Sequence, residues 1–210
     1  DSAEKKLLAI VEAKNKNTDS RLVGELLVGF PGDKILSYAK ELDNSCVVLG
    51  TRGEKDVLRS IFGSVSTKVG MDCDKPVWVI PPDTRYSKFK KIAFCTSDPI
   101  TDVSAAEVLS PLLQKFESEL HILNVFDFKE INEEEVLDAW NPIVPEGKLK
   151  FETLYDTNVV DALFGYCNDN DIGLISINRK QRSLLSMLFS KSLTKEMIIK
   201  SDIPLLVMHS

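Results

Sequence analysis

The chain has 210 residues, of which 43% are hydrophobic and 28% are charged, enough for one large domain or two small ones with an apolar core. Its formal net charge of -6 argues against non-specific binding to nucleic acid, which needs a basic face. No apolar run approaches the roughly 18 residues of a membrane helix, so no membrane partner is expected.

The first strongly patterned element is a buried strand that ends in Val47-Val48-Leu49-Gly50. It opens the pattern G-x-x-G-x9-G-S, formed by Gly50, Gly53, Gly63 and Ser64, and Ser64 starts a predicted helix. Glycines let the backbone turn tightly, and the free N–H groups of a helix start favour an anion such as phosphate. The Ser64 hydroxyl can donate to that anion or cap the helix. The unit suits a nucleotide, although turn glycines beside strands commonly need no ligand.

Residues 75–82 form the next buried strand, which prolines close. Together with the glycine pattern, this block resembles the universal stress protein family. The resemblance is close at the nucleotide loop (Gly50, Gly53, Gly63, Ser64 and Val65) and at the closing strand 76–82. It implies an ATP-binding α/β domain of the adenine-nucleotide-alpha-hydrolase-like type.

The same resemblance implies a role for each loop residue. Gly50 and Gly53 would lie by the ribose and triphosphate, and Gly63, Ser64 and Val65 by the phosphates. Arg52 falls within the loop, where its guanidinium is either a phosphate ligand or a solvent-facing cation. The family also places an acidic residue at the end of its first strand, near the adenine, and no such strand precedes this loop in the sequence.

After the polar stretch 81–88, strands and helices alternate. The predicted strands are 91–96, 120–126, 149–154, 173–177 and 204–208. The predicted helices are 102–116, an acidic one at 133–140, 159–168 capped by Asn158, and 193–199. This alternation indicates a parallel sheet, and five strands make a flavodoxin-like, doubly wound unit.

The chain repeats itself at an offset of 127 residues. Leu22, Glu25 and Leu27 match Leu149, Glu152 and Leu154, residues 62–68 match 189–195 at Phe, Thr and Lys, and 76–80 match 204–208 after one inserted residue. We therefore predict two five-stranded parallel sheets in tandem, with residues 1–82 as the first domain and 88–210 as the second.

The first copy has only its second half. The offset places its start about 40 residues upstream of Asp1, and those residues are expected to hold its N-terminal β-α-β portion. Without that portion, a remnant of three strands would expose a sheet edge.

The second copy has a degraded loop. The positions of Gly50, Gly53, Gly63 and Ser64 hold Ile177, Lys180, Ser190 and Lys191, so every glycine is lost. Ser97 occupies the family's acidic position, with Asp98 one residue later. We expect this copy to bind ATP poorly or not at all.

The side chains that carry most enzyme chemistry are few. We expect His121 to be a packed strand residue and His209 to be solvated. Cys46 and Cys95 lie in apolar runs and are predicted to be core residues. The spacing of the four cysteines predicts no metal site, and such free thiols suit a reducing cytoplasm.

These patterns predict an ATP-binding stress-response or regulatory protein without evident catalytic residues. The second domain would be a pseudo-dimer partner, joined through strands 76–80 and 204–208, and a homodimer is a further option. One alternative is a slow ATPase in which Mg²⁺ supplies much of the electrostatics. The other is an interaction module that binds no nucleotide.

Overall fold

The computed structural model describes residues 2–16, 21–51, 64–85, 88–125, 131–155, 158–179 and 191–209. The α-helices are α1 (Ser2–Asn15), α2 (Pro31–Lys40), α3 (Ser64–Asp72), α4 (Ser110–Phe116), α5 (Glu133–Trp140), α6 (Val159–Asp169) and α7 (Lys191–Lys200). The strands are β1 (Val47–Gly50), β2 (Val77–Ile80), β3 (Lys91–Thr96), β4 (Glu119–Val125), β5 (Leu149–Leu154), β6 (Leu174–Arg179) and β7 (Leu205–His209). A 3-10 helix spans Thr101–Val108.

The strands form one seven-stranded sheet in the order β1-β2-β7-β6-β3-β4-β5. Neighbouring strands are parallel except for β2 and β7, which pair antiparallel. The predicted α/β class with parallel strands is confirmed. The two predicted sheets are joined edge to edge, so the second copy's five strands and the first copy's β1 and β2 are continuous.

Apolar clusters cover both faces of the sheet. One face is packed by α2, α3, α6 and α7, whose buried residues include Ala39, Val69, Leu163 and Met197. The other face is packed by the 3-10 helix, α4 and α5, and its largest buried side chain is Trp140, which lies 4.9 Å from Phe94 between ring centroids. Helices on both faces of a parallel sheet are the doubly wound arrangement.

The β2–β7 junction has two-fold character in its register. Val77 pairs with Val207, Trp78 with Leu206, and Val79 with Leu205. Because residues 76–80 and 204–208 are repeat equivalents, Trp78 and Leu206 are equivalent residues that face each other. An antiparallel pair of equivalent strands is what a two-fold axis through their centre produces.

Residues 22–27, the repeat equivalents of β5, are not a strand. In the second copy β5 pairs with β4, whereas the described part of the first copy has no strand beside 22–27 to supply ladder hydrogen bonds. Gly24 instead lies against α1, where a Cβ on Gly24 would fall 2.8 Å from a side-chain carbon of Leu7. The prediction of a three-strand remnant is therefore wrong for the described residues of the first copy, which contain two strands, β1 and β2.

The predicted helix 102–116 is also wrong in detail, because it is divided into the 3-10 helix and α4. Pro111 lies near the start of α4, where its lack of an N–H costs nothing, but it cannot continue the hydrogen bonding of a preceding α-helical turn. By contrast, α5 matches its prediction, and Asn158 caps α6 as predicted by accepting from the Asp161 N–H at 3.3 Å.

Candidate functional site

The predicted nucleotide loop begins where β1 ends. Gly50 is the last residue of β1 and pairs with Ile80, the last residue of β2, so both parallel strands present their carboxyl ends at the same edge. The Thr51 N–H donates to the Ile80 carbonyl at 2.9 Å and extends the ladder by one residue. This strand edge is where ligands bind in open parallel sheets.

The described part of the chain does not crowd Gly50 at that edge. Among the described residues, a Cβ built on Gly50 would meet only the Ile80 carbonyl oxygen, at 4.0 Å, and the φ angle of Gly50 is not positive. The glycine is therefore not required by the backbone conformation of β1 or by crowding from described neighbours. The open space suits the close approach of a ligand to the main chain.

Helix α3 starts at Ser64 and is held firmly against its neighbours. Val65 packs against the apolar cluster of this face, and the Lys68 ammonium forms an ion pair with Asp33 of α2. Gly32 allows the two helices to approach, because a Cβ there would fall 3.0 Å from the Lys68 side chain. The orientation of α3, and so of its free N–H groups, is fixed by this packing.

The predicted site residues are only partly described. Gly50, Val65 and the backbone of Ser64 belong to the described residues. Arg52, Gly53 and Gly63 lie outside them, as does the Ser64 side chain. Where they belong to the described part of the chain, the predicted residues fit a phosphate-bearing ligand: an uncrowded strand end and a packed helix start.

The equivalent edge of the second copy is filled by protein side chains. Ile177, at the position of Gly50, is fully buried. Between β3 and β6, the Asp102 carboxylate accepts hydrogen bonds from the Thr96 hydroxyl at 2.6 Å and from the Asn178 amide at 3.1 Å. The Asp98 N–H donates to Thr96 Oγ1 at 2.9 Å, which closes the turn above them.

Asp102 is a key residue of this edge that sequence reasoning missed, since it was read only as the first residue of a helix. It is 4% exposed and stands six residues after Thr96, in the 3-10 helix that follows β3. The available signal was a carboxylate in the first turn of the helical element that follows a buried strand. Lys180 and Ser190, two of the replaced loop positions, lie outside the described residues.

The two copies also meet through polar contacts at the ends of β6 and β7. Arg179 donates to the Met71 carbonyl in α3, and its guanidinium lies 3.4 Å from His209 Nε2. Burial, with the Arg179 charge second, lowers the pKa of His209 to about 4. The prediction of a solvated His209 is therefore wrong, because β7 carries it into this junction.

His121 is a packed residue, as predicted. It is fully buried on β4, with Nδ1 2.9 Å from the Tyr166 hydroxyl and Nε2 3.0 Å from Glu119 Oε1. Burial lowers the pKa of His121, while the hydrogen bond from Lys150 is the main cause of the lowered pKa of Glu119. The described residues contain no group of three or more His, Cys, Asp or Glu side chains arranged to hold a metal ion.

The burial of Cys46 and Cys95 depends on where β1 and β3 lie in the sheet. Cys95 is buried in β3, as predicted, and burial raises its pKa well above the usual value. Cys46, just before β1, is exposed, so its predicted place in the core is wrong.

Among the described residues, no helix is long and apolar enough to cross a membrane.

Residues 1–81 match the family model "Universal stress protein family". The first 81 residues therefore belong to the universal stress protein family. The match covers β1, α3, β2 and the whole G-x-x-G-x9-G-S pattern. A comparison with curated proteins gave no significant match.

Solved structures resemble the universal stress protein segment and the second copy together. A universal stress protein from Archaeoglobus fulgidus DSM 4304 has a TM-score of 0.71 at 22% identity, over 99% of this chain and 76% of that chain. A protein provisionally assigned to the same family from Pseudomonas aeruginosa UCBPP-PA14 has a TM-score of 0.66 at 12% identity, over 98% and 78%. A functionally unknown protein from Pseudomonas aeruginosa PAO1 has a TM-score of 0.61 at 13% identity, over 99% and 77%. At these identities, the likeness concerns the fold alone.

Proposed function

We propose that this chain is a nucleotide-binding regulatory protein that holds one ATP at the carboxyl end of β1. The observation that carries the proposal is the family match over residues 1–81, which spans the glycine loop. The described residues leave Gly50 uncrowded, which supports the same location, since backbone that must approach a ligand closely cannot carry a side chain there.

The chain's own residues would divide the work of binding. Gly50 and Gly53 would line the ribose and triphosphate, and the first N–H groups of α3, with Gly63, Ser64 and Val65, would hold the phosphates. Arg52 would pair with a phosphate oxygen. When bound with the nucleotide, Mg²⁺ would neutralise part of the phosphate charge.

The second domain, residues 88–210, would act as a pseudo-dimer partner for residues 1–82 and bind no ATP. The equivalence of Trp78 and Leu206 across the β2–β7 junction supports this arrangement, as does the Arg179–Met71 contact. Ile177 and the hydrogen-bonded Asp102 support the loss of the second site. We place the protein in the cytoplasm, where free thiols such as Cys73, Cys95 and Cys167 persist.

The sharpest test is Gly50→Val. Valine is well suited to a strand, and among the described residues its Cβ would meet only the Ile80 carbonyl at 4.0 Å, so the fold should be retained. Its methyl groups would occupy the space that the nucleotide needs. We expect ATP affinity, measured by calorimetry, to fall at least tenfold, or about 1.4 kcal/mol. Gly63→Val should weaken ATP binding in the same way.

Gly165→Val is the matched control. It adds the same side chain in α6, where a Cβ would meet no described atom within 4 Å. This control should leave ATP affinity unchanged. If Gly50→Val melts like the parent chain and binds ATP within about threefold of it, the site is not at Gly50.

A further inference from the structure

A cavity of about 420 Å³ lies where β2 runs into the segment that joins the two copies. We call it the linker cavity. Its apolar wall is formed by Ile80, Phe89, Ile172, Ile203 and Pro204. Both its volume and its apolar lining are typical of sites that bind small molecules.

The wall of the linker cavity is held in place by packing. Phe89 stacks on Trp78, with ring centroids 5.8 Å apart, and meets Phe116 edge-on at 6.0 Å. Gly173 is tied to β3 by its N–H, which donates to the Lys91 carbonyl at 3.0 Å. A Cβ built on Gly173 would lie 3.8 Å from Phe89 Cδ1, an ordinary packing distance, so Gly173 and Phe89 are close neighbours in this wall. The cavity is therefore preformed and pays little ordering cost on binding.

Hydrogen-bond donors face this apolar space. The Thr84 hydroxyl lines the cavity, and its oxygen is buried without a hydrogen-bond partner among the described residues. Arg85 lines the rim with an exposed side chain and has no ion pair within the described ranges. Asp202 is the opposing charge on the lining and is also exposed. Two adjacent donors favour an acceptor, and a carboxylate suits a guanidinium best.

The β2–β7 junction has two ends, and the end opposite the linker cavity, beside Val77 and Val207, is filled by side chains. There, the half-buried His209 at the end of β7 contacts Arg179, and Arg179 contacts Met71. At the corner beside Ile80, the chain turns away after Pro81, and the Thr84 N–H donates to the Pro81 carbonyl at 3.2 Å. The two ends of the junction therefore differ, because one is filled by Arg179 and His209 and the other holds the linker cavity.

We propose that the linker cavity binds a small amphipathic carboxylate, with its apolar body against Phe89 and Ile203 and its carboxylate toward Thr84 and Arg85. This site is separate from the proposed ATP site at Gly50 and does not depend on it. It would let the junction between the two copies respond to a second ligand.

The test uses the chain as it exists, with 4-phenylbutyrate as the probe and 4-phenylbutanamide as its neutral match. We expect saturable amide chemical-shift changes at Thr84, Arg85 and Gly173 on titration with the carboxylate. The amide should bind about three- to tenfold more weakly, because it lacks the charge that Arg85 recognises.

Charge variants make the test specific. Arg85→Gln should weaken 4-phenylbutyrate about three- to tenfold, whereas Lys88→Gln, which removes a nearby cation outside the cavity, should change affinity less than twofold. Asp202→Asn should strengthen binding by removing a like charge. The proposal is overturned by shifts that do not saturate, by shifts confined to the exposed apolar residues 22–30, by equal binding of acid and amide, or by equal effects of the two cation variants.

Discussion

β1 and β6 occupy equivalent places in the repeat and have opposite surroundings. β6 lies between β3 and β7, and five of its six residues are buried. β1 is at the edge of the described sheet with only β2 beside it, and alternates between half-buried and exposed residues. Val48 is 63% exposed, while its equivalent Ile175 is 0% exposed. The repeated sequence thus determines that both segments form strands, and the strands beside each one determine how far it is buried.

The same pair of strands differs at the carboxyl end. β1 ends in Gly50, which the described residues leave uncrowded, whereas the equivalent Ile177 is buried and Asp102 fills the neighbouring crevice. The two copies therefore differ in opposite directions: in the second copy the strand is buried and its crevice is filled, whereas in the first copy the strand is partly exposed and the loop glycines are present in the sequence.

The largest expected effect compares Ile175→Ala with Val48→Ala. Ile175→Ala leaves a cavity in the core and should lower the free energy of unfolding by about 3–4 kcal/mol. Val48→Ala removes an exposed side chain and should cost less than about 0.5 kcal/mol. Urea unfolding of both variants measures the difference. Similar losses for both would mean that β1 is as well covered as β6.

Asp102→Ala should have the next largest effect. It removes the acceptor of two hydrogen bonds and leaves the buried Thr96 hydroxyl and Asn178 amide without it, at a cost of about 2–4 kcal/mol. Asp102→Asn keeps one oxygen acceptor and should cost less. Thermal unfolding gives the ranking.

The Asp102→Ala variant also probes the closed crevice. Its enlarged space should still bind no ATP, because Ile177 occupies the position of Gly50. A second ATP site appearing in calorimetry of this variant would show that Asp102 alone closes the crevice.

A smaller effect is expected on acidification. His209 has a pKa of about 4 in the folded chain against an ordinary 6.5, so the unfolded chain binds more protons between these values. The free energy of unfolding should therefore fall, by about 2–3 kcal/mol, as the pH drops from 6.5 to 4. His121 also has a lowered pKa and contributes with the same sign.

His209→Gln separates the two histidines. Subtracting its pH profile from that of the parent chain leaves the His209 part, which should vanish above pH 6.5 and grow as the pH falls. Parallel profiles for the two proteins would place His209 in solvent rather than at the junction.

Local signals predicted much of the fold. Apolar runs gave the seven strands, the Asn158 cap fixed the start of α6, and the acidic helix 133–140 was predicted at its observed ends. The repeat added the equivalence of β2 and β7 and named them as candidates for the contact between the copies, while their antiparallel register came from the structure.

The failures share a cause, which is that burial depends on residues distant in sequence. Residues 22–27 have the pattern of β5 but no neighbouring strand in the described part of the chain, and Cys46 precedes a strand at the edge of the described sheet. His209 is buried by Arg179, 30 residues earlier in the chain. Asp102 closes a crevice with Asn178, 76 residues later.

We propose that one copy keeps the nucleotide site and the other has lost it. Calorimetric titration of the parent chain with ATP tests this most directly, because it counts sites. We expect one site per chain, lost in Gly50→Val and kept in Gly165→Val. Two equivalent sites, or a single site that survives Gly50→Val in a folded protein, would contradict it.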